Sequence, residues 1–139
     1  MLVKKYEDDR YIDYRFLSVT LKDDHTDYNM PGGKMDPDEK RLTATAVREL
    51  EEETGIKLRE SDLALLHTDL ECSDGDYMVV TYYHIIDGNN TSGAYNVSTE
   101  ENHKVEWIPL RRLTESKTWP EYNTKVYHEI NNVLQNHDV

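Results

Sequence analysis

The chain has 139 residues, enough for one packed domain with a real core and too few for a second substrate domain. Its 16 basic and 28 acidic residues leave a formal net charge of -12, which repels nucleic-acid backbones and anionic bilayers and argues against duplex nucleic acid or a membrane as partner. A phosphate-bearing small molecule meets the same repulsion and is held only where bound cations reverse the local field.

No apolar run nears the ~20 residues of a membrane span, and residues 1–9 are charged and lack the apolar stretch of a signal peptide. The expectation is a cytoplasmic protein. The single cysteine, Cys72, has no intrachain partner and belongs to no Cys/His cluster of the zinc kind, so it reads as inert packing.

In chain order, residues 1–6 and 11–21 carry β-branched and aromatic side chains on either side of the turn-like Glu7-Asp8-Asp9-Arg10, which predicts a hairpin. Residues 22–29 are polar and turn-rich and lead into Met30-Pro31-Gly32-Gly33, where the chain must turn. Residues 39–53 read as a helix, with Pro37 and Asp38 as start signals and Thr54-Gly55 as a glycine stop. At 100° per residue, Leu42, Thr43, Ala46, Val47 and Leu50 share an arc of about 140°, and Glu49, Glu52 and Glu53 take the adjoining arc of about 100°. Residues 63–70 and 77–86 are expected as strands, the second rich in Val, Thr, Tyr and Ile and therefore central in a sheet. After a loop over 87–96, residues 105–108 form a short strand ended by Pro109, and Val126, Ile130, Val133 and Leu134 recur at helical spacing. The order is α+β, without repeats.

The chemistry concentrates at the end of the first helix. Glu49 lies on one face with Glu52 and Glu53, at i+3 and i+4, where like charges destabilise an isolated helix by about 0.2 to 0.5 kcal/mol per pair. The helix dipole opposes them as well. A run such as Glu51-Glu52-Glu53 is ordinarily a solvated face, but hard dications take a few carboxylates together with waters and phosphate oxygens. The preceding Gly32 and Gly33 let backbone approach a ligand closely and aim a carbonyl at it. Arg48 faces elsewhere on the helix than Glu49, so it reaches that carboxylate only by wrapping its guanidinium round; its simplest partner is Glu52 at i+4.

Together these residues resemble the Nudix box of MutT-like hydrolases: Gly, five residues, Glu, seven residues, then Arg-Glu-apolar-any-Glu-Glu-any-Gly-apolar. Arg48-Glu49-Leu50-Glu51-Glu52-Glu53-Thr54-Gly55-Ile56 matches every fixed position, and Pro31-Gly32-Gly33-Lys34 is similar to the family's approach to the box. One departure stands out, since eight residues rather than seven separate Glu39 from Arg48. Counted back from Arg48, the family's first Glu falls on Lys40, so either a loop or bulge absorbs the extra residue and restores Glu39, or that position is lost. Val105-Glu106-Trp107-Ile108-Pro109-Leu110 also resembles the family's short late strand, before which several members carry one more metal-binding Glu; Glu101 or Glu100 is suitably placed.

The resemblance implies an α/β/α sandwich around a mixed β-sheet, one Nudix domain over 1–139, and a site for Mg²⁺ or Mn²⁺. Glu52, Glu53 and Glu101 look like metal ligands, the Gly32 carbonyl another, and Glu49 a ligand or the base that activates water. Arg48 would orient Glu49, and Gly33 and Lys34 would lie against substrate. The implied reaction is hydrolysis of a diphosphate bond in a nucleoside di- or triphosphate linked to another moiety, by water attack on phosphorus. The alternative is a non-catalytic Nudix-like module that senses a nucleotide or metal, although such modules usually have eroded carboxylates and all three are present here. A homodimer is compatible with the sequence. Substrate markers are lacking: no proline lies between Ile56 and Trp107, so the proline associated with ADP-ribose hydrolases is absent, and Tyr77 is farther from the box than the tyrosine of dinucleoside polyphosphate hydrolases. Tyr28, Tyr82, Tyr83 and Trp107 are candidates to stack on a base, with sheet packing the commoner use of such residues.

Overall fold

Alternation along two strands sets the architecture. In the computed structural model, which describes residues 1–20, 24–71, 77–89 and 104–137, β1 (Leu2–Glu7) and β2 (Ile12–Thr20) form the expected antiparallel hairpin, with Val3 opposite Phe16. Its turn is held by Asp8, whose Oδ1 accepts the N–H groups of Arg10 at 2.7 Å and Tyr11 at 3.1 Å, a side chain standing in for a backbone acceptor. β3 (Tyr28–Asn29) pairs with Val19 and Thr20, so the stretch read as loop contains a two-residue strand.

The central expectation for the fourth and fifth strands holds. β5 (Tyr77–Asp87) runs antiparallel to β4 (Ala64–Glu71) and parallel to β1, with Leu2 opposite His84 and Lys4 opposite Ile86. β6 (Val105–Pro109) pairs antiparallel with β2, placing Trp107 opposite Leu17. The strand runs one residue past its expected end, with Pro109 opposite Arg15 in the last place.

Because neighbouring residues of a strand point to opposite faces, the sheet has two cores. Val3, Phe16 and Ile108 face α2 (Pro120–His137), which contributes Tyr122, Val126, Ile130 and Leu134, while Leu110 and Leu113 come from a short 3-10 helix before it. Leu2, Leu17 and Ile86 face the other helix, α1 (Leu42–Thr54), through Leu50, with Ile56 just beyond its end. Each wholly buried aliphatic side chain contributes about 1.5 to 3 kcal/mol. The result is a mixed sheet between two helices, as expected. Val133 on α2 is only partly buried.

α1 departs from expectation at its start. It begins at Leu42 rather than residue 39, and Leu42, placed on the core face by periodicity, is 42% exposed. The buried residues of α1 are Thr45, Leu50 and Thr54, and of these only Leu50 belongs to the apolar cluster, so the helix meets that core in its C-terminal half. The predicted stop holds. Gly55 takes the left-handed conformation at φ 77° and donates its N–H to Glu51 at 2.8 Å.

Candidate active site

The segment before α1 turns instead of coiling. Glu39 N–H bonds to the Asp36 carbonyl at 3.0 Å, and Asp36 N–H returns to Glu39 Oε1 at 2.9 Å. Arg41 is drawn away to Glu60, through Nε at 2.8 Å and Nη2 at 3.0 Å. This turn absorbs the extra residue of the box. Glu39 keeps its place after all, because its carboxylate takes Arg48 in a two-point fork, Nη2 at 2.9 Å and Nε at 3.3 Å. Arg48 and the Asp36 N–H pull the Glu39 carboxyl down from 4.5 to about 2.

Arg48 does reach round the helix. Its Nη1 donates to Glu49 Oε1 at 3.0 Å and Glu52 Oε2 at 3.1 Å, and its Nη2 also donates to the Lys34 carbonyl at 3.2 Å. Asp36 adds a carboxylate 3.6 Å from Nη2. One guanidinium thus faces Asp36, Glu39, Glu49 and Glu52, which raises its own pKa and leaves the cluster strongly negative.

Glu49 is largely enclosed, with a side chain only 15% exposed. A Cβ on Gly33 would stand 2.3 Å from its Oε1 and 2.4 Å from its Cδ, so the carboxylate occupies the space that any other residue at 33 would fill. Burial raises the Glu49 pKa, with Arg48 opposing and Glu52 and Asp36 adding to the rise. Glu53 turns the other way and accepts the Gly32 N–H through Oε2 at 3.0 Å. The glycine pair therefore touches both Glu49 and Glu53, and Arg48 ties Glu49 to Glu52 and Glu39.

The structure brings the three helix carboxylates, the two glycines, Arg48 and the Lys34 carbonyl together; Glu101 and Glu100 lie outside the described residues, as does Cys72. Among the described residues no three acidic, His or Cys side chains already converge as a metal cluster. Glu49 and Glu52 are both engaged by Arg48, and Glu53 by the Gly32 N–H. The donor set nevertheless suits a hard dication: carboxylate oxygens on successive helical positions, an excess of negative charge, and a partly desolvated Glu49 that a cation would relieve.

Sequence reading passed over Asp36 and left Glu39 unplaced, although the kept spacing from Gly33 to Glu39 was a usable signal. Of the aromatic candidates, Tyr28 and Tyr83 pack toward the α2 core and Tyr82 stands opposite Leu65 on β4. Trp107 lies on the α1 side, with the Lys4 ammonium 4.3 Å from its ring centre. His67 stacks edge-on with Tyr122 and His84 meets the Asp62 carbonyl at 3.0 Å, both in packing roles.

The fold is shared with solved structures. The NUDIX domain of Shewanella oneidensis NrtR, complexed with ADP-ribose, superposes with a TM-score of 0.68 at 18% identity, covering 96% of this chain and 84% of that one. A Caenorhabditis elegans Ap4A hydrolase gives 0.63 at 18% identity, covering 97% and 95%. A Listeria monocytogenes protein described as a NUDIX hydrolase gives 0.61 at 22% identity, covering 99% and 93%. No curated protein matches the sequence. The NUDIX domain family matches residues 6–130, which takes in the glycine pair, the Arg48 fork and the three helix carboxylates, and the chain belongs to that family.

Proposed function

We propose that this chain is a pyrophosphohydrolase that cleaves a diphosphate bond in a nucleotide-like small molecule with the help of Mg²⁺ or Mn²⁺. The observation that carries the reading is Glu49, a partly desolvated carboxylate seated against Gly33 and braced by Arg48, with Glu52 and Glu53 on the following turn. Glu52, Glu53, Glu49 and the Gly32 carbonyl would hold the ion, with Glu101 as a further ligand. When bound, a dication neutralises the diphosphate, polarises phosphorus and lowers the pKa of a coordinated water.

The protein's own part is positioning. Arg48 restrains Glu49 through Nη1, and its fork to Glu39 fixes the guanidinium from the other side. Raised by burial, the Glu49 carboxyl is suited to take a proton from an attacking water. Gly33 leaves room for that carboxylate, and with Lys34 it would flank the substrate. An acidic protein thereby accommodates a polyanion.

The test is product release from nucleoside triphosphates, oxidised triphosphates, nucleotide sugars, ADP-ribose, NADH and dinucleoside polyphosphates, with and without chelator. Metal-dependent cleavage at a phosphoanhydride is expected for at least one class. Full turnover in excess chelator would remove the metal reading, and nucleotide binding without turnover across the panel would leave the non-catalytic sensor.

A further inference from the structure

On the α1 side of the sheet the strands run past the patch beneath Leu50 into an open cleft of about 470 Å³, within the ~300 to 1,000 Å³ usual for small-molecule sites. The register shows which residues share that face. Lys4 stands opposite Arg15, Tyr6 opposite Asp13, and Trp107 opposite Leu17, so Tyr6, Asp13, Arg15 and Trp107 point to the same side as Leu2 and Leu17, which pack with Leu50. Arg15 lies two residues from Leu17, about 7 Å along the strand, and Asp13 about 14 Å. The cleft and the helix bearing Glu49, Glu52 and Glu53 therefore lie over one continuous surface.

The lining is aromatic and acidic. Tyr6, Tyr11 and Trp107 provide ring surface, and Glu7, Asp8 and Asp13 provide carboxylates. Asp13 accepts Arg15 Nε through Oδ2 at 3.1 Å, so an acceptor and a fork of donors stand side by side. This chemistry repels phosphate and suits a flat, neutral ring with N–H groups at its edge. Between Tyr6 and Leu2 on the same face is Lys4, whose ammonium rests on Trp107. A nucleotide laid along this face would thus meet carboxylates at its base end and a cation before the α1 carboxylates.

We infer that the cleft lined by Trp107, Tyr6 and the Asp13–Arg15 pair is the subsite for the substrate's nucleobase, and that it selects a base presenting N–H donors beside a carbonyl, as guanine does. Asp13 accepts from the ring and exocyclic N–H groups, Arg15 donates to the carbonyl, and the aromatic walls take the ring faces. The inference deepens the hydrolase reading and rests on it only for what it says of turnover.

The test uses neutral nucleosides in excess chelator, so that neither phosphate nor metal takes part. The two indole N–H resonances of the intact chain, from Trp107 and Trp119, are assigned with Trp119→Phe and followed during titration with guanosine, adenosine and uridine. Guanosine should shift the Trp107 signal saturably and leave Trp119 in place, with weaker responses to the other two. Asp13→Asn should weaken guanosine binding about tenfold, the scale of a lost charge-assisted hydrogen bond, and raise KM for a guanine nucleotide while kcat changes little. Arg15→Gln should erode the preference for guanosine over adenosine. Metal-dependent turnover is measured alongside. A responsive Trp107 in a chain without turnover keeps the subsite and removes the hydrolase reading. Turnover with a Trp107 signal blind to every nucleoside, or an Asp13→Asn protein equal to the parent in both measurements, overturns the subsite.

Discussion

Gly33→Ala isolates the placement of Glu49 from everything else in the site. Gly33 is not among the positive-φ residues, so alanine meets no backbone obstacle, and the whole effect comes from a Cβ standing 2.3 Å from Glu49 Oε1. Restoring an ordinary contact of at least 3.4 Å requires the carboxylate to withdraw by about 1 Å, and misplacing a reacting group by that much costs on the order of 10²-fold. The obstacle is the far end of a flexible side chain, so the fold absorbs it. Alanine also reduces the freedom of the unfolded chain by about 0.4 to 1 kcal/mol, offsetting the disturbed Glu49–Arg48 contact. Thermal unfolding should therefore stay within about 4 °C of the parent while kcat in saturating Mg²⁺ falls roughly a hundredfold. Gly32→Ala is the matched control, since nothing lies within 4 Å of its Cβ and its N–H can still serve Glu53. Parental kcat in Gly33→Ala would refute the idea that this glycine exists to seat Glu49.

Glu53→Gln keeps an acceptor for the Gly32 N–H but removes a charge, so folding should survive while turnover falls by roughly 10² to 10⁴ and apparent Mg²⁺ affinity drops. Glu51→Gln, which loses only an exposed pair with Lys57 at 3.5 Å, should match the parent in the same assay; equal turnover in both variants returns the acidic run to a solvated face. Arg48→Lys cannot reproduce a fork shared among Glu39, Glu49 and Glu52, so kcat should drop at least about tenfold with KM less affected, and a variant as active as the parent would show that Glu49 needs no brace. Glu39 and Glu60 are both held near 2 from an ordinary 4.5, so their stabilisation is complete above pH 4.5 and is lost as pH falls toward 2. Glu60→Gln should flatten the pH dependence of the melting temperature over that interval, and an unchanged slope would deny the Arg41–Glu60 clasp a role in stability.

Strand positions were legible because alternation and β-branched runs are local signals, and the box was legible because its spacing is local to one helix. What escaped depended on distant partners. β3 exists only through pairing with Val19 and Thr20, so its two residues carry no pattern of their own. The start of α1 was misread because helical periodicity extends through Glu39, while Arg48, nine positions on, and Asp36 claim that carboxylate for a turn. Leu42 fits the apolar arc yet finds no core beneath it, since the α1-side cluster meets the helix at Leu50. The cleft beside Trp107 was hidden for the same reason: its walls come from β1, β2 and β6, and only cross-strand register brings Tyr6, Asp13 and Trp107 to one face.

The parallel pairing of β1 with β5 also dictates an order of assembly. Leu2 and His84 are neighbours in the sheet although most of the chain separates them, whereas β1 and β2 close through a short local turn. Local contacts form early, and closing a loop of this length carries an entropic cost that must be met before the distant contact returns anything. The surface on which α1 docks is shared among Leu2, Leu17 and Ile86, so the N-terminal hairpin and the box helix together still lack one wall of their core. During synthesis the box can coil and its Arg48 can find Glu39, but Leu50 has its full bed only once β5 has been made and threaded beside β1. Cooperativity between the acidic helix and the rest of the fold is thus imposed late, by a strand that contributes none of the carboxylates around Arg48.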